Sequence, residues 1–319
     1  MTDDEVGIVG LGFLGRGIAA CLLSHGFRVV GYGRTTDALA AAEESIRQAV
    51  HEVVDHGQAD ARLRDGWREL YRPATSFDEL ANSSFVIESV TEDAGVKSAV
   101  FDQLERVVAD DVPVASNTSA IPISALQRSR RRPERFLGMH WAEPAHATRF
   151  LEVIRGEQTA DAAFYRAVAL ARRCGKEPAV VNRDVPGFIA NRLGYAMYRE
   201  AMHLLQTGVA DAETIDRSFR NSIGIWATLC GPFRWMDITG GPNLYAKAMA
   251  PVLPTLAGES IVPSPLAELA AEGALGIANG RGFYNYTSAE AAHWEELFRR
   301  HAWAVQRLVE AERPSEDTA

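Results

Sequence analysis

A glycine-rich turn near the N-terminus constrains the fold more than any other feature of the chain. The apolar run at residues 6–9 leads into Gly10, Gly12 and Gly15, spaced as GxGxxG, and a helical pattern follows at once. In a strand–turn–helix unit such glycines permit a tight turn and let phosphate groups approach the amides at the helix N-terminus. A glycine turn without a ligand is the alternative. The predicted cofactor-binding residues of this turn are Gly10, Gly12, Phe13, Leu14 and Gly15.

Short apolar runs alternate with helical periods along the first part of the chain, which is typical of a parallel sheet with crossover helices. Strands are predicted at residues 6–10, 28–33, 85–90, 113–116, 136–141, 151–155 and 179–182. Residues 37–72 predict a projecting helical hairpin, and after Pro186 only helical segments follow. We therefore predict an α/β fold, with a doubly wound, Rossmann-like parallel sheet in a dinucleotide-binding domain (residues 1–183) and an all-α C-terminal domain (residues 184–319).

Charge and composition exclude several functional classes. The net charge of −9 argues against binding to nucleic acid or to an anionic membrane, because both require a concentrated basic surface. No apolar stretch reaches the ~20 residues of a membrane span, and the acidic start MTDDE is unlike an export signal, so a cytoplasmic protein is expected. The 3 cysteines are too few and too scattered for a disulfide framework or a metal site, and no metal is predicted.

The end of the second predicted strand bears on the choice of cofactor. In NAD-binding sheets an acidic residue about 20 positions past the glycine motif holds the ribose hydroxyls. Gly33 stands there instead, and Arg34 follows it. A glycine removes the repulsion of a 2′-phosphate, and an arginine pairs with it. The cofactor is therefore predicted to be NAD(P), with NADP favoured over NAD; an exposed loop arginine is the alternative.

One histidine and one glutamate form the clearest catalytic pair. Oxidation of an alcohol by hydride transfer requires a base for the hydroxyl proton, and a histidine oriented by a carboxylate suits neutral pH. His140 lies near the end of the apolar run 136–141, where the strand edge of a doubly wound sheet meets its ligand. Glu152 is an isolated acid in the next apolar run, and a buried carboxylate is costly unless it is paired.

Several motifs in order resemble the 3-hydroxyacyl-CoA dehydrogenase family along nearly the whole chain. They are SNTS (116–119), GMHWAEP (138–144), LEVI (151–154), DVPGFIANR (184–192), GPF (231–233) and GRGFY (280–284). The resemblance implies that His140 is the base, that Glu152 orients it, and that Ser119 and Asn191 hold the reacting oxygen. It also implies cofactor contacts by Glu92, Lys97 and Asn117. The alternatives are a helix cap for Ser119, a backbone bond for Asn191 and a solvated helix start for Glu92 and Lys97.

The chain departs from the family pattern at positions that bear on the substrate. Glu143 stands where the family usually has asparagine, and the segment 45–55 lacks the lysines of a CoA-handling hairpin. The region around Trp226 is closer to relatives that act on small substrates without CoA, although Trp226 replaces the arginine found in some of them. An aromatic cluster is more often core than pocket. The predicted substrate-binding residues are Ser119, Trp141, Glu143 and Trp226.

The leading hypothesis is an NAD(P)-dependent dehydrogenase that acts on an L-3-hydroxyacyl or related β-hydroxy compound. A second reading keeps the chemistry but takes a small aromatic or hydroxy-acid alcohol or aldehyde without CoA. A third reading is a protein that binds the nicotinamide cofactor without turnover, although the combination of His140, Glu152, Ser119 and Asn191 argues against it. The resemblance also implies a homodimer formed through the helical domain.

Overall fold

The computed structural model describes residues 4–311, and within them eight strands form one sheet. The strands are β1 (Glu5–Val9), β2 (Arg28–Tyr32), β3 (Tyr71–Ala74), β4 (Phe85–Glu88), β5 (Val114–Ser116), β6 (Phe136–Trp141), β7 (Phe150–Ile154) and β8 (Glu177–Val181). Their order across the sheet is β3-β2-β1-β4-β5-β6-β7-β8. Neighbouring strands run parallel, except for β6 and β7, which are antiparallel.

The chain divides into two compact units, Met1–Arg192 and Leu193–Ala319. The first unit contains α1 (Phe13–Ser24), α2 (Thr36–Asp55), α3 (Leu63–Gly66), α4 (Ala94–Val107), α5 (Ile123–Gln127), α6 (Asp161–Arg173) and the start of α7 (Ala190–Gln206). The second unit continues α7 and adds α8 (Ala212–Asn221), α9 (Ile223–Ala227), α10 (Pro232–Ile238), α11 (Gly241–Met249), α12 (Ser264–Ala271) and α13 (Ser288–Ala311). Short 3-10 turns lie at Trp67–Glu69, Phe77–Leu80, Pro133–Arg135 and Leu253–Thr255.

Apolar side chains cover both faces of the sheet, as a doubly wound fold requires. Successive residues of a strand point to opposite faces. Ile8 accordingly belongs to one buried cluster with Leu22 of α1, whereas its neighbour Val9 belongs to a second cluster with Leu104 of α4. The predicted α/β class, with a helical region after the sheet, is confirmed.

Two features of the sheet differ from the sequence-based prediction. Strand β3 was not predicted, because residues 37–72 were expected to form a helical hairpin, whose end overlaps Tyr71–Ala74. This strand contains Pro73, and it lies at the edge of the sheet, where proline is tolerated. Strand β7 was expected to be parallel like the others but runs against β6. The periodicity of a buried run is the same in both directions, so the sequence pattern does not reveal this.

The turn before α7 belongs with the first unit. The division between Arg192 and Leu193 lies further along the chain than the predicted boundary after residue 183. The Asp184 carboxylate accepts hydrogen bonds from the amide and hydroxyl of Ser124, which anchors the start of the turn on α5. The turn is therefore held to the sheet domain by its own polar contacts.

Helices dominate the described part of the second unit, and most of their apolar side chains are exposed. A mostly apolar cavity of about 580 Å³ lies within this unit, bordered by α7, α8 and α12 together with residues 274–286. Within residues 4–311, no helix combines the length and the hydropathy that a membrane span requires.

Candidate active site

The glycine turn leaves open space beside the start of α1. Gly10 has a φ of +99°, and a Cβ atom built there would lie 2.6 Å from the Ser89 carbonyl oxygen. A Cβ atom on Gly15 would collide with the carbonyl oxygen of Gly10, whereas one on Gly12 would meet no atom within 4 Å. In the described chain no side chain caps the N-terminus of α1. These residues fit the pyrophosphate of a dinucleotide, which needs a close backbone approach and free amides.

The end of β2 provides a cation in place of an acid. The Gly33 amide donates to Ala74 O at 3.0 Å, and a Cβ atom on Gly33 would lie 2.8 Å from a Leu39 methyl carbon. A side chain at position 33 therefore requires Leu39 to move. Arg34 is exposed and has no hydrogen bond or ion pair to another residue of the described chain.

The predicted catalytic pair forms across the antiparallel ladder. Residues His140 and Glu152 lie opposite each other in the register of β6 and β7. The Nδ1 atom of His140 is 2.8 Å from Oε2 of Glu152, and both residues are buried. Phe150 and Phe188 flank the imidazole, with ring centroids at 5.7 Å and 5.9 Å. The other ring nitrogen, Nε2, has no hydrogen-bond partner among residues 4–311, so it is the nitrogen left for a substrate.

The second oxygen of Glu152 is held by the turn before α7. Its Oε1 atom accepts the amides of Ile189 and Ala190, each at 2.9 Å. Gly187 and Phe188 supply this geometry with φ values of +76° and +49°, a left-handed conformation that is uncommon for a residue with a side chain. Burial raises the pKa of Glu152, but the hydrogen bonds from His140 and from the two amides outweigh it and hold the pKa below its ordinary value. Glu152 is therefore a carboxylate that can orient His140.

Hydrogen bonds connect the other two predicted catalytic residues to this pair. Asn191 follows Ala190 directly, and its Nδ2 atom donates to the Ser119 carbonyl oxygen at 2.8 Å. The segment that carries Ser119 is thereby tied to the start of α7, which also holds Glu152. Neither predicted alternative describes them, since Asn191 bonds outside its own helix and Ser119 does not cap α5, whose N-cap is Pro122.

The predicted cofactor residues Glu92, Lys97 and Asn117, which follow β4 or β5 in the chain, have polar atoms engaged with the protein. Asn117 donates to Ser89 Oγ and accepts the Trp141 amide, both at 3.0 Å. Glu92 is exposed, and it accepts the Ser119 amide at 2.8 Å. Lys97, in contrast, is fully buried, so its predicted direct contact with a cofactor is corrected: the structure gives its side chain no surface for one.

Glu88 is a buried charge that the sequence reasoning missed. It ends β4 and lies 2.8 Å from Lys97 Nζ, with neither side chain exposed. The segment ESVTED contains three acids, and the sequence reasoning did not separate Glu88 from the two exposed ones that follow it. The available signal was a glutamate directly after the apolar run 85–87, at the sheet edge where ligands bind.

The predicted substrate residues have different surroundings. Trp141 is buried in the core, because it follows His140 on the strand and points to the opposite face; its predicted substrate contact is corrected for this reason. Glu143 is half-buried, and burial, opposed by His146, raises the pKa of its carboxyl. Trp226 lies in the second unit, stacked on Trp235 at 5.3 Å, and its substrate contact stays a prediction.

Two models of one protein family match most of the chain. The NAD-binding domain of 3-hydroxyacyl-CoA dehydrogenase matches residues 5–185, and the C-terminal domain of the same family matches residues 187–286. Together the two matches include the predicted catalytic pair, the glycine turn and most of the helical unit. Helix α13 lies beyond them.

The names of similar proteins describe dehydrogenases of two kinds, one for a small pyridine compound and one for a CoA ester. The chain is 33% identical over 306 residues to 5-formyl-3-hydroxy-2-methylpyridine 4-carboxylate 5-dehydrogenase of Mesorhizobium japonicum, covering 96% of this chain and 98% of the relative. It is 32% identical over 283 residues to a probable 3-hydroxybutyryl-CoA dehydrogenase of Deinococcus radiodurans, covering 88% and 100%. A crystal structure of the pyridine-carboxylate dehydrogenase, described as an NAD+ dependent dismutase, superposes with a TM-score of 0.91 at 32% identity over 97% of this chain and 99% of that one.

Proposed function

The chain belongs to the 3-hydroxyacyl-CoA dehydrogenase family, and from this premise we infer that it transfers a hydride between a nicotinamide cofactor and a secondary alcohol or ketone. One observation carries the assignment: the imidazole of His140 is bonded to the Glu152 carboxylate through Nδ1, while Nε2 has no partner in the described chain. A base with one nitrogen fixed and the other available is what alcohol oxidation needs. The bound cofactor would supply the hydride acceptor.

We propose that His140 and Glu152 work as a unit. In the oxidative direction, Nε2 of His140 takes the hydroxyl proton as the hydride leaves the carbinol carbon. The positive charge that develops on the imidazole lies 2.8 Å from the carboxylate of Glu152, which stabilises it. The amides of Ile189 and Ala190 prevent Glu152 from rotating away. In the reverse direction the same nitrogen returns the proton to the ketone oxygen.

Ser119 and Asn191 complete the proposed site by holding the reacting oxygen. Ser119 is exposed, so its hydroxyl is accessible to a substrate. The hydrogen bond from Asn191 to the Ser119 backbone links the two residues, and the bonds of Ile189 and Ala190 link both to Glu152. Glu92 and Asn117 lie next to Ser119 in this hydrogen-bonded region and are proposed to border the nicotinamide ribose.

Replacement of the base tests the assignment. His140→Gln keeps the size and polarity of the side chain but removes the proton acceptor, so we expect turnover to fall roughly 10²- to 10⁴-fold with NADH binding unchanged. NADH fluorescence titration and steady-state kinetics on the purified protein measure both. His301→Gln, at an exposed position of α13, is the matched control. Wild-type turnover in His140→Gln would refute the proposed role.

The substrate is proposed to be an L-3-hydroxyacyl or related β-hydroxy compound, and a second candidate is a small aromatic substrate without CoA. The second is favoured by α2, which carries Glu43, Glu44, Glu52 and Asp55 where a CoA phosphate would need cations. The Mesorhizobium relative is named for such a pyridine compound. Kinetics with acetoacetyl-CoA, a free β-keto acid and 5-formyl-3-hydroxy-2-methylpyridine 4-carboxylate would separate the two. A kcat/KM highest for the CoA ester would reject the second candidate.

The cofactor is NAD-type, and a preference for NADP over NAD is a further proposal. The support is local: position 33 offers no carboxylate to a ribose, and the exposed Arg34 guanidinium is not engaged by another described residue. A 2′-phosphate would accept the fork of N–H donors that Arg34 presents.

We also propose a cytoplasmic homodimer that forms through the helical unit. Phe233, Ile225 and Leu275 expose 79%, 70% and 68% of their surface in the single chain, and exposed apolar surface of this kind marks association sites when it is contiguous. Association of two copies through this unit would cover them. The cysteines Cys21, Cys174 and Cys230 are all free thiols, as expected in a reducing compartment.

A further inference from the structure

A fully buried ion pair lies beneath the segment that carries Ser119. Lys97 on α4 and Glu88 at the end of β4 have no exposed side-chain surface. Lys97 Nζ lies 2.8 Å from Oε1 and 3.1 Å from Oε2 of Glu88, so both carboxylate oxygens are engaged. Burying two charges carries a large desolvation cost, and apolar residues of similar volume commonly stabilise a fold as well or better. Stability alone is therefore a weak explanation for this pair.

Glu88 joins the ends of neighbouring strands at the centre of the sheet. Its Oε2 atom accepts the Ser116 hydroxyl at 2.6 Å, and its Oε1 atom accepts the Val90 amide at 2.7 Å. Glu88 ends β4 and Ser116 ends β5, so the carboxylate fixes both carboxyl ends. The strand order reverses beside β4, because β1 lies between β2 and β4. In open α/β sheets, ligands bind at such a reversal.

Glu92 connects this buried pair to the proposed site. Its Oε2 atom lies 3.4 Å from Lys97 Nζ. Its Oε1 atom accepts the Thr118 hydroxyl at 2.6 Å, the Ser119 amide at 2.8 Å and the Ala120 amide at 3.0 Å. Burial raises the pKa of Glu92, but these hydrogen bonds and the nearby Lys97 outweigh it and lower the pKa. One carboxylate thus holds three consecutive residues on one side and the buried ammonium on the other.

We propose that Glu88 and Lys97 are positioning residues that act through Glu92 to fix residues 118–120, and so place Ser119 for the cofactor and the reacting oxygen. The inference rests on the proposed function of Ser119. Neither Glu88 nor Lys97 has surface with which to touch a ligand, so their effect passes through the hydrogen bonds of Glu92. The ammonium attracts the Glu92 carboxylate inward and so limits the positions that the segment can take.

A charge-neutral double variant tests this proposal. Glu88→Gln with Lys97→Met removes both charges at nearly constant volume, so no unpaired buried charge remains to unfold the protein. We expect the Kd for NADH to rise about tenfold and kcat/KM to fall roughly 10²-fold, the scale of loss when a catalytic group is misplaced by about 1 Å. The measurements are NADH fluorescence titration and steady-state kinetics with whichever substrate the wild type turns over.

The matched control neutralises a second buried cation in the same unit. Arg130 has 1% of its side chain exposed and lies 2.8 Å from the exposed Asp102 and 3.5 Å from the buried Glu105, and none of these three is a proposed site residue. Arg130→Met with Glu105→Gln should lower Tm by about as much as Glu88→Gln with Lys97→Met does. Its Kd for NADH and its kcat/KM should stay at their wild-type values. Equal kinetic losses in both double variants would show that the effect is general destabilisation, and would overturn the proposal.

A conservative variant covers the case in which the double variant does not fold. Glu88→Asp keeps the charge but withdraws the carboxylate from Lys97 by one methylene, and we expect a smaller loss in the same direction. Wild-type kinetics in Glu88→Asp or in the folded double variant would overturn the positioning role while leaving the proposed function intact. If the wild type itself bound no NADH, the proposed function would fail and the positioning role with it.

Discussion

The two units of the chain treat their apolar residues in opposite ways. In the first unit, the sheet and its helices bury two extensive apolar clusters, with residues such as Ile8, Leu22 and Leu104 fully covered. In the described part of the second unit, only Ala257 and Trp303 are buried. The first unit satisfies its own hydrophobic surface, whereas the second exposes surface of the kind that marks association sites. The residues proposed for catalysis therefore all belong to the unit that buries its own apolar surface.

Truncation of a leucine in each unit would sharpen this comparison most. Leu104→Ala removes a fully covered side chain from the first unit and should lower the free energy of unfolding by about 2–5 kcal/mol. Leu275→Ala, at a position 68% exposed in the second unit, should cost less than about 0.5 kcal/mol in a monomer. Urea denaturation at two protein concentrations measures both. A large loss for Leu275→Ala that grows with protein concentration would mean that association covers it.

A charged substitution in the second unit tests the association directly. Phe233 is 79% exposed on α10, and Phe233→Glu should convert a homodimer to a monomer, because a carboxylate is costly in an apolar interface. Sedimentation velocity gives the mass of each variant. Tyr165→Glu, at a 63% exposed position in the first unit, is the control and should keep the wild-type mass. A wild type that sediments as a monomer would contradict the homodimer.

The cofactor preference should reverse when the cation in the first unit becomes an acid. Arg34→Asp removes the partner of a 2′-phosphate and supplies one for ribose hydroxyls, so we expect the ratio of NADPH to NADH affinity to fall by at least about tenfold. Fluorescence titration with both cofactors measures it, with Arg28→Asp, at the exposed start of β2, as the control. Equal ratios in wild type and Arg34→Asp would contradict the role of Arg34. Substitutions in the second unit should leave the ratio of NADPH to NADH affinity unchanged.

The smallest expected effect is the acid dependence of stability due to Glu152. Its pKa is lowered in the folded state, so its contribution to stability is complete above the ordinary carboxyl pKa and is lost as the pH falls through the folded value. The difference in unfolding free energy between wild type and Glu152→Gln should therefore shrink as the pH is lowered below about 4.3, the unperturbed glutamate pKa. Chemical denaturation across this range measures it. A difference that widens toward acid pH would mean that the pKa shift has the opposite sign.

Sequence reasoning predicted the fold class, and it also predicted that Glu152 would be paired with His140. A carboxylate in a buried run is costly unless it is hydrogen-bonded, and Glu152 is hydrogen-bonded to His140. The same alternation that directs His140 toward the site sends Trp141 into the core, so that correction was available from the sequence. Strand β3 was missed because the helical pattern of residues 37–72 was extended into it, and the periodicity of β7 does not depend on the direction of the strand.

The hydrogen-bonded support of the site could not be read from the sequence. Lys97 and Glu92 belong to a polar stretch of sequence, and only the fold shows that Lys97 is buried with Glu88 whereas Glu92 is exposed. Likewise, the motif DVPGFIAN gives no indication that two of its amides hold Glu152. Long-range polar contacts of this kind depend on distances between segments that are far apart along the chain.

The three glycines of the first turn differ in what a mutation at each would report. At Gly10 and Gly15 an added methyl group strikes backbone atoms of the protein itself, so a defect there says nothing about ligand affinity. At Gly12 the same methyl group meets no protein atom within 4 Å. If Gly12→Ala lowered the affinity for the nicotinamide cofactor, the loss would therefore report a contact between that cofactor and the turn, which a substitution at Gly10 or Gly15 would not do.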